Sequence, residues 1–210
     1  MTLPRLYPIL DTGILGQRGL TPVKAAEAML EGGARILQFR HKGSYRRAVF
    51  EQAEQVAELC WKAGALFVID DRADIALLLN AGVHVGQADL PPSDVRRLIG
   101  PDRILGFSTH NEAQLRAAAD EPADYLALGP IFETASKQKP DPVVGLAELR
   151  RLRPLDRRPL VAIGGITREN ARVVLEAGAD SVAVIGDLLP PELSYESIRA
   201  RMEEWQQIVR

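Results

Sequence analysis

The stretch LFVIDDRADIALLLNAGVHVGQADLP, residues 66–91, decides the fold. It holds two short apolar runs about one helix apart, and each ends abruptly in polar groups. Asp70 and Asp71 close the first, while Gln87 and Asp89 follow the second. Between the runs lies a helix end with a glycine-type stop. The same phrase, helix end, stop and four or five apolar residues, recurs as AMLEGGARILQFR, ELCWKAGALFVID and VLEAGADSVAVIG, with a weaker copy in AAADEPADYLALG. Gly33, Gly64, Gly82 and Gly178 suit the left-handed residue that ends a helix, since a residue without Cβ escapes the steric penalty there. The apolar runs are too short for helices and too uniformly hydrophobic for strands exposed on one side. They read as strands buried on both faces, as in parallel sheets.

Eight such runs are present, at 6–10, 36–40, 66–70, 83–86, 104–108, 125–129, 160–164 and 181–185. Amphipathic stretches lie between them. In TPVKAAEAMLEG, for example, Thr21 is placed to cap a helix and Pro22 to occupy its first position. Strands and helices alternating eight times in 210 residues predict the α/β class and a (β/α)8 TIM barrel. No Pro/Gly/Ser-rich linker divides the chain, so residues 1–210 are expected to form a single barrel domain. A doubly wound open sheet would use fewer strands, and no G-x-G-x-x-G opens the chain.

With 26 Lys+Arg against 28 Asp+Glu, no charge excess marks a nucleic-acid partner. The single cysteine, Cys60, excludes an internal disulfide framework and reads as a buried thiol in a helix. No apolar run approaches membrane-spanning length, and the N-terminal stretch is too short for a signal peptide. The expectation is a soluble cytoplasmic protein without membrane or nucleic-acid partners.

In such barrels the C-terminal strand ends and the loops after them build the active face. Asp70, Asp71 and Asp89 fall there. In QFRHK, side-chain alternation puts Gln38, Arg40 and Lys42 on one face, with Phe39 and His41 on the other. An amide and two cations in register are costly in a barrel unless they meet a ligand or each other. After the sixth run, GPIFETASKQKPDPVVG offers Thr134, Ser136 and Lys137 in a long loop, either an anion site or an ordinary charged loop. Its length suggests a lid over 134–140. Gly164, Gly165 and Gly186 follow the seventh and eighth runs, where barrels often cradle a phosphate on backbone N–H groups. Ser108 sits at the end of the fifth run. His110, next to Asn111, is either a helix-start residue or a proton carrier, and His84 reads as a satisfied core imidazole. Two carboxylates, two cations, several hydroxyls and a glycine-lined cradle on one face suit a polyphosphate with a hard divalent cation. Oxygen-only ligands, few in number, favour Mg²⁺.

The segments QFRHK, VIDDRADIAL, GVHVGQADLP, GFSTHN, YLALGPIFETASK, VAIGGIT and AGADSVAVIG, in this order and spacing, resemble the thiamine-phosphate synthase family over nearly the whole chain. The resemblance implies a transferase of thiamine biosynthesis. It would join hydroxymethylpyrimidine diphosphate to a thiazole phosphate, giving thiamine phosphate and pyrophosphate. It further implies that Gln38, Arg40 and Lys42 hold the pyrimidine diphosphate, with Asp70 near its ring, and that Asp71 and Asp89 bind Mg²⁺. Ser108 and Lys137 would touch the diphosphate, while Thr134, Ser136, Gly165, Ile185 and Gly186 would serve the thiazole phosphate. Arg40, Lys42, Ser108 and Lys137 are the expected catalytic set. Ionisation of the pyrimidine C–O bond, followed by attack of the thiazole nitrogen, would need no covalent nucleophile. Four positions depart from the family's habit. Asp70 stands where Asn is more usual, His41 where an acid is usual, Ser136 where Thr is usual and Gly186 where Ser is common. A related thiazole tautomerase with the same barrel is an alternative; it typically lacks the paired acids and uses a histidine at the position of His110. A non-catalytic barrel binding thiamine precursors is another. A homodimer is compatible with the sequence.

Overall fold

The eight apolar runs become strands, most of them because β-branched and aliphatic residues occupy both of their faces. One face is covered by helices and the other fills the lumen. The computed structural model describes residues 2–134 and 141–210. Its strands are β1 (Leu6–Asp11), β2 (Ile36–Arg40), β3 (Leu66–Asp70), β4 (Gly82–Val85), β5 (Leu105–Thr109), β6 (Tyr125–Leu128), β7 (Leu160–Ile163) and β8 (Ser181–Val184). Every neighbour pair is parallel, and the pairing of β8 with β1 closes the barrel. A closed barrel leaves no sheet edge to protect. This is the (β/α)8 architecture expected from the repeat.

Nine α-helices occur among the described residues: α1 (Thr12–Gln17), α2 (Pro22–Glu31), α3 (Arg47–Lys62), α4 (Ala73–Leu78), α5 (Pro92–Ile99), α6 (Glu112–Ala117), α7 (Gly145–Leu152), α8 (Ala171–Glu176) and α9 (Tyr195–Ile208). None is long and apolar enough to cross a membrane. Thr21 caps α2 as expected, its hydroxyl accepting from the Lys24 N–H at 3.4 Å, with Pro22 at the first helical position. Cys60 is buried on α3. The glycine stops hold at Gly33, Gly64 and Gly178, all at positive φ. Gly82 departs from its expected role. The left-handed residue after α4 is Asn80, at φ 51, while Gly82 opens β4. Asn tolerates that region, and the absent side chain at 82 serves packing: a Cβ there would come within 3.0 Å of the Ile104 carbonyl. Strands β4 and β5 are displaced by one residue from the expected ranges, so β5 runs through Ser108 and ends on Thr109.

Two apolar layers result. The larger lies between strands and helices. The smaller fills the lumen with Tyr7, Ile9, Ile36, Val68, Tyr125 and Val161. Alternation along each strand then lifts the next inward residues toward the C-terminal mouth: Asp11 above Ile9, Gln38 and Arg40 above Ile36, and Asp70 above Val68.

Gly106, inside β5, leaves room for the Tyr125 ring and His84, both of which a Cβ would overlap. Gly106→Ala should destabilise the fold by about 1–3 kcal/mol, the usual cost of overpacking. A denaturant midpoint equal to wild type would contradict this account of the lumen.

Candidate active site

The mouth encloses a cavity of about 690 Å³. It brings together Gln38, Arg40, Lys42, Asp70, Asp71, Asp89, Ser108, Thr134, Gly165, Ile185 and Gly186. Ser136 and Lys137 lie outside the described residues, as does most of the 134–140 loop proposed as a lid.

One wall is a mesh of charge. Arg40 pairs with Asp11 and lies 3.7 Å from Asp70. The Lys42 Nζ sits 2.7 Å from Asp70 Oδ2 and 2.5 Å from Asp71 Oδ2. Although Lys42 is near enough to Asp70 for an ion pair, Asp70 Oδ2 is buried without a hydrogen bond of acceptable geometry among the described residues. Burial pushes the Asp70 carboxyl up to about 6, and the Asp71 carboxylate adds to the shift against the pull of Lys42 and Arg40. Burial works against the Lys42 cation as well, but Asp70 and Asp71 together hold its pKa above the ordinary value.

Asp71 follows β3 at φ 62, a region an aspartate tolerates better than most side chains. Its N–H donates to the His84 carbonyl at 2.8 Å, which pins the turn and directs the chain back toward the mouth. Asp89 closes the turn after β4 by accepting from the Gly86 N–H at 2.7 Å. Burial, reinforced by the facing Asp71 carboxylate, keeps the Asp89 carboxyl above its ordinary value despite that N–H. Two carboxylates thus converge with no described cation between them except Lys42. Among the described residues no group of three or more His, Cys, Asp and Glu side chains could hold a metal. A chelating cage is therefore not built there, whereas a two-carboxylate site of the Mg²⁺ kind asks only for water and phosphate oxygens besides.

The opposite wall is backbone. Gly164 and Gly165 both adopt positive φ, and a Cβ at Gly165 would run into Phe132 and the Glu133 carbonyl. Asn170 holds this turn by donating to the Gly165 carbonyl at 3.0 Å and accepting from the Thr167 N–H at 2.8 Å. Gly186 begins a short 3₁₀ turn after β8. Turns of this kind expose backbone N–H groups to an anion.

His84 is satisfied, as expected, but it also lines the cavity, with Ser108 Oγ 2.8 Å from Nε2 and the Tyr125 hydroxyl 3.0 Å from Nδ1. Burial lowers its pKa to about 4. His110 Nδ1 lies 2.6 Å from the Gly129 carbonyl and Nε2 lies 3.5 Å from Asp141. His41 is turned away from the mesh, with Nδ1 2.7 Å from the Thr12 hydroxyl and its ring edge against Tyr45. Asp11, Tyr7 and Tyr125 also belong to the site and were not singled out in the sequence. Strand parity was the available signal, because all three are inward positions on β1 and β6.

Fold and site together define a (β/α)8 barrel whose mouth pairs acids and cations with a glycine-rich cradle, a setting for oligophosphate chemistry. The sequence profile of the family described as thiamine monophosphate synthase matches residues 6–188, and the chain belongs to that family. It is 48% identical over 192 residues to a thiamine-phosphate synthase of Koribacter versatilis, covering 90% of each chain. A thiamine-phosphate synthase of Shouchella clausii is 41% identical over 207 residues, covering 97% of this chain and 98% of that one. Among solved structures, thiamine phosphate pyrophosphorylase from Pyrococcus furiosus superposes with a TM-score of 0.83 at 33% identity, covering 98% of this chain and 95% of that one.

The raised Asp70 pKa has a measurable consequence. The native state binds this proton more tightly than the unfolded chain, whose carboxyl titrates near ~3.9. The contribution of Asp70 to stability therefore falls as pH rises from about 4 through about 6. Relative to wild type, Asp70→Asn should gain stability across that window and level off above it. Paired denaturant titrations at several pH values measure this difference, and an unchanging difference would contradict the burial-driven shift.

Proposed function

We propose that this chain is a thiamine-phosphate synthase. It joins hydroxymethylpyrimidine diphosphate to a thiazole phosphate and releases pyrophosphate, acting as a single-domain cytoplasmic enzyme on free small molecules. The observation that carries this reading is the convergence of Arg40, Lys42, Asp71 and Asp89 on one wall of a single cavity whose other wall is the Gly164–Gly165 turn. One wall suits a diphosphate and the other a monophosphate, and the apolar lumen beneath suits a heterocycle.

Asp71 and Asp89 would hold Mg²⁺. A diphosphate beside two bare carboxylates would be repelled, by about 4 kcal/mol for each like-charge pair at 4 Å and an effective dielectric of 20. Burial is the first cause of the raised Asp89 pKa, and the facing Asp71 carboxylate adds the same kind of repulsion within the protein alone. When bound, the ion would neutralise charge on the diphosphate as the C–O bond breaks. Arg40 and Lys42 are fixed beforehand in the acid mesh, so they meet developing pyrophosphate charge with little reorganisation. Lys137 and Ser108 would add further contacts to the same group. Gln38 and Asp70 would orient the pyrimidine from inside the mouth. Thr134 and Ser136, with the backbone at Gly165, Ile185 and Gly186, would receive the thiazole phosphate. Asp70 in place of an amide brings a carboxyl that takes up a proton more readily than most and can then donate to a ring nitrogen.

Nothing in this scheme calls for a general base. His110, engaged through Nδ1 with the Gly129 carbonyl, lends no specific support to the tautomerase alternative.

Incubating the protein with both substrates and Mg²⁺ should yield thiamine phosphate and pyrophosphate in equal amounts, read by chromatography. Lys42→Ala should lower kcat by roughly 10²–10³-fold, as for other groups that stabilise transition-state charge. Formation of no thiamine phosphate by the wild type would overturn the reading, and a normal kcat in Lys42→Ala would remove Lys42 from the catalytic set.

A further inference from the structure

Beneath the charged wall runs an unbroken line of hydrogen bonds across the lumen, made by residues from five strands. Gln38 Nε2 donates to the Tyr7 hydroxyl at 3.2 Å, and the Tyr7 and Tyr125 hydroxyls are 2.8 Å apart. The Tyr125 hydroxyl is 3.0 Å from His84 Nδ1, and His84 Nε2 is 2.8 Å from Ser108 Oγ. Tyr7, Gln38, His84 and Tyr125 are all buried, and the imidazole stacks on the Tyr125 ring with centroids 5.5 Å apart. A line of this kind can carry its protons in either direction.

Proton counting selects one. Gln38 gives Tyr7 a hydrogen bond, so the lone Tyr7 proton is left to donate onward, and its acceptor is Tyr125. Tyr125 then gives its own proton to His84 Nδ1. Accepting at Nδ1, the imidazole carries its proton on Nε2 and donates to Ser108 Oγ. In the opposite direction Tyr7 would accept from both Gln38 and Tyr125, and its buried O–H would face no acceptor among the described residues. A buried donor without a partner costs about 1–3 kcal/mol.

The geometry points to Tyr7, Tyr125 and His84 as positioning residues that keep the Ser108 proton free to donate into the cavity. Because His84 Nε2–H donates to Ser108 Oγ, the Ser108 proton is not spent on His84 and stays free to point into the cavity, where it suits an anionic phosphoryl oxygen. This deepens the synthase reading and rests on it for the identity of the anion. The selection of Ser108 polarity by Gln38, some four hydrogen bonds away, does not depend on that identity.

The direct test is ¹⁵N NMR of the wild-type protein labelled at histidine, with His84→Gln to assign the signal. The inference expects a protonated Nε2 and a bare Nδ1 at His84. A proton on Nδ1 would overturn it whatever the protein catalyses. A second arm titrates inorganic pyrophosphate with Mg²⁺ into wild type, Ser108→Ala, His84→Phe and the double variant. Ser108→Ala and His84→Phe should each bind roughly tenfold more weakly, as expected for a lost hydrogen bond to a charged group. The double variant should bind no more weakly than Ser108→Ala alone. Wild-type binding in either single variant, or additive losses in the double variant, would contradict the positioning role. No pyrophosphate uptake by the wild type would count against the synthase reading, while the ring tautomer would still decide the relay.

Discussion

Asp70 is a carboxylate taken out of water at the narrow part of a barrel mouth, next to a second carboxylate, and most of the site can be understood as the response to that placement. Desolvation alone would drive it to protonate. Lys42 and Arg40 counter this from β2 and the loop after it, and Arg40 is in turn anchored by Asp11 on β1. Three adjacent strands are thereby tied through side chains as well as through their ladder. Removing one cation would leave the buried Asp70 less compensated, and the ion pairs place Arg40 and Lys42 at the mouth before a diphosphate arrives.

The closed sheet makes this arrangement unavoidable. With side chains alternating strictly, an inward residue two places beyond an apolar lumen residue must reach the mouth. Ile9 commits Asp11 in this way, Ile36 commits Gln38 and Arg40, and Val68 commits Asp70. Helices cover the other face, so Arg40 and Asp70 meet their charged partners at the mouth, while Asp11 both pairs with Arg40 and caps α1 by accepting from the Ile14 N–H.

That logic explains what could be read from the residues and what could not. Periodic apolar runs and helix stops were enough for the eight strands, and the polar strand ends were enough to place Gln38, Arg40, Asp70, Asp71 and Asp89 around one opening. The departures came where two residue types can play one part. Asn80 took the left-handed turn that Gly82 was expected to supply, because Asn also tolerates positive φ and the spacing alone does not choose between them. Asp11, Tyr7 and Tyr125 went unnoticed because a polar group inside an apolar strand resembles an ordinary strand residue until its neighbours across the lumen are known. His84 looked like a core imidazole and is one, yet its two partners also make it part of the cavity wall. Contacts spanning the lumen join residues more than a hundred positions apart, such as Tyr7 and Tyr125, and no local pattern encodes them.

On the proposed function, the acids of this mouth become a binding site for phosphate only when a divalent cation joins them. Calorimetric titration of pyrophosphate into the wild-type protein, with Mg²⁺ and then with excess EDTA, tests this most directly. Saturable binding in Mg²⁺ that disappears in EDTA is the predicted result. Equal affinity in both conditions would mean that Arg40 and Lys42 suffice to hold the anion against Asp71 and Asp89, and would contradict the account.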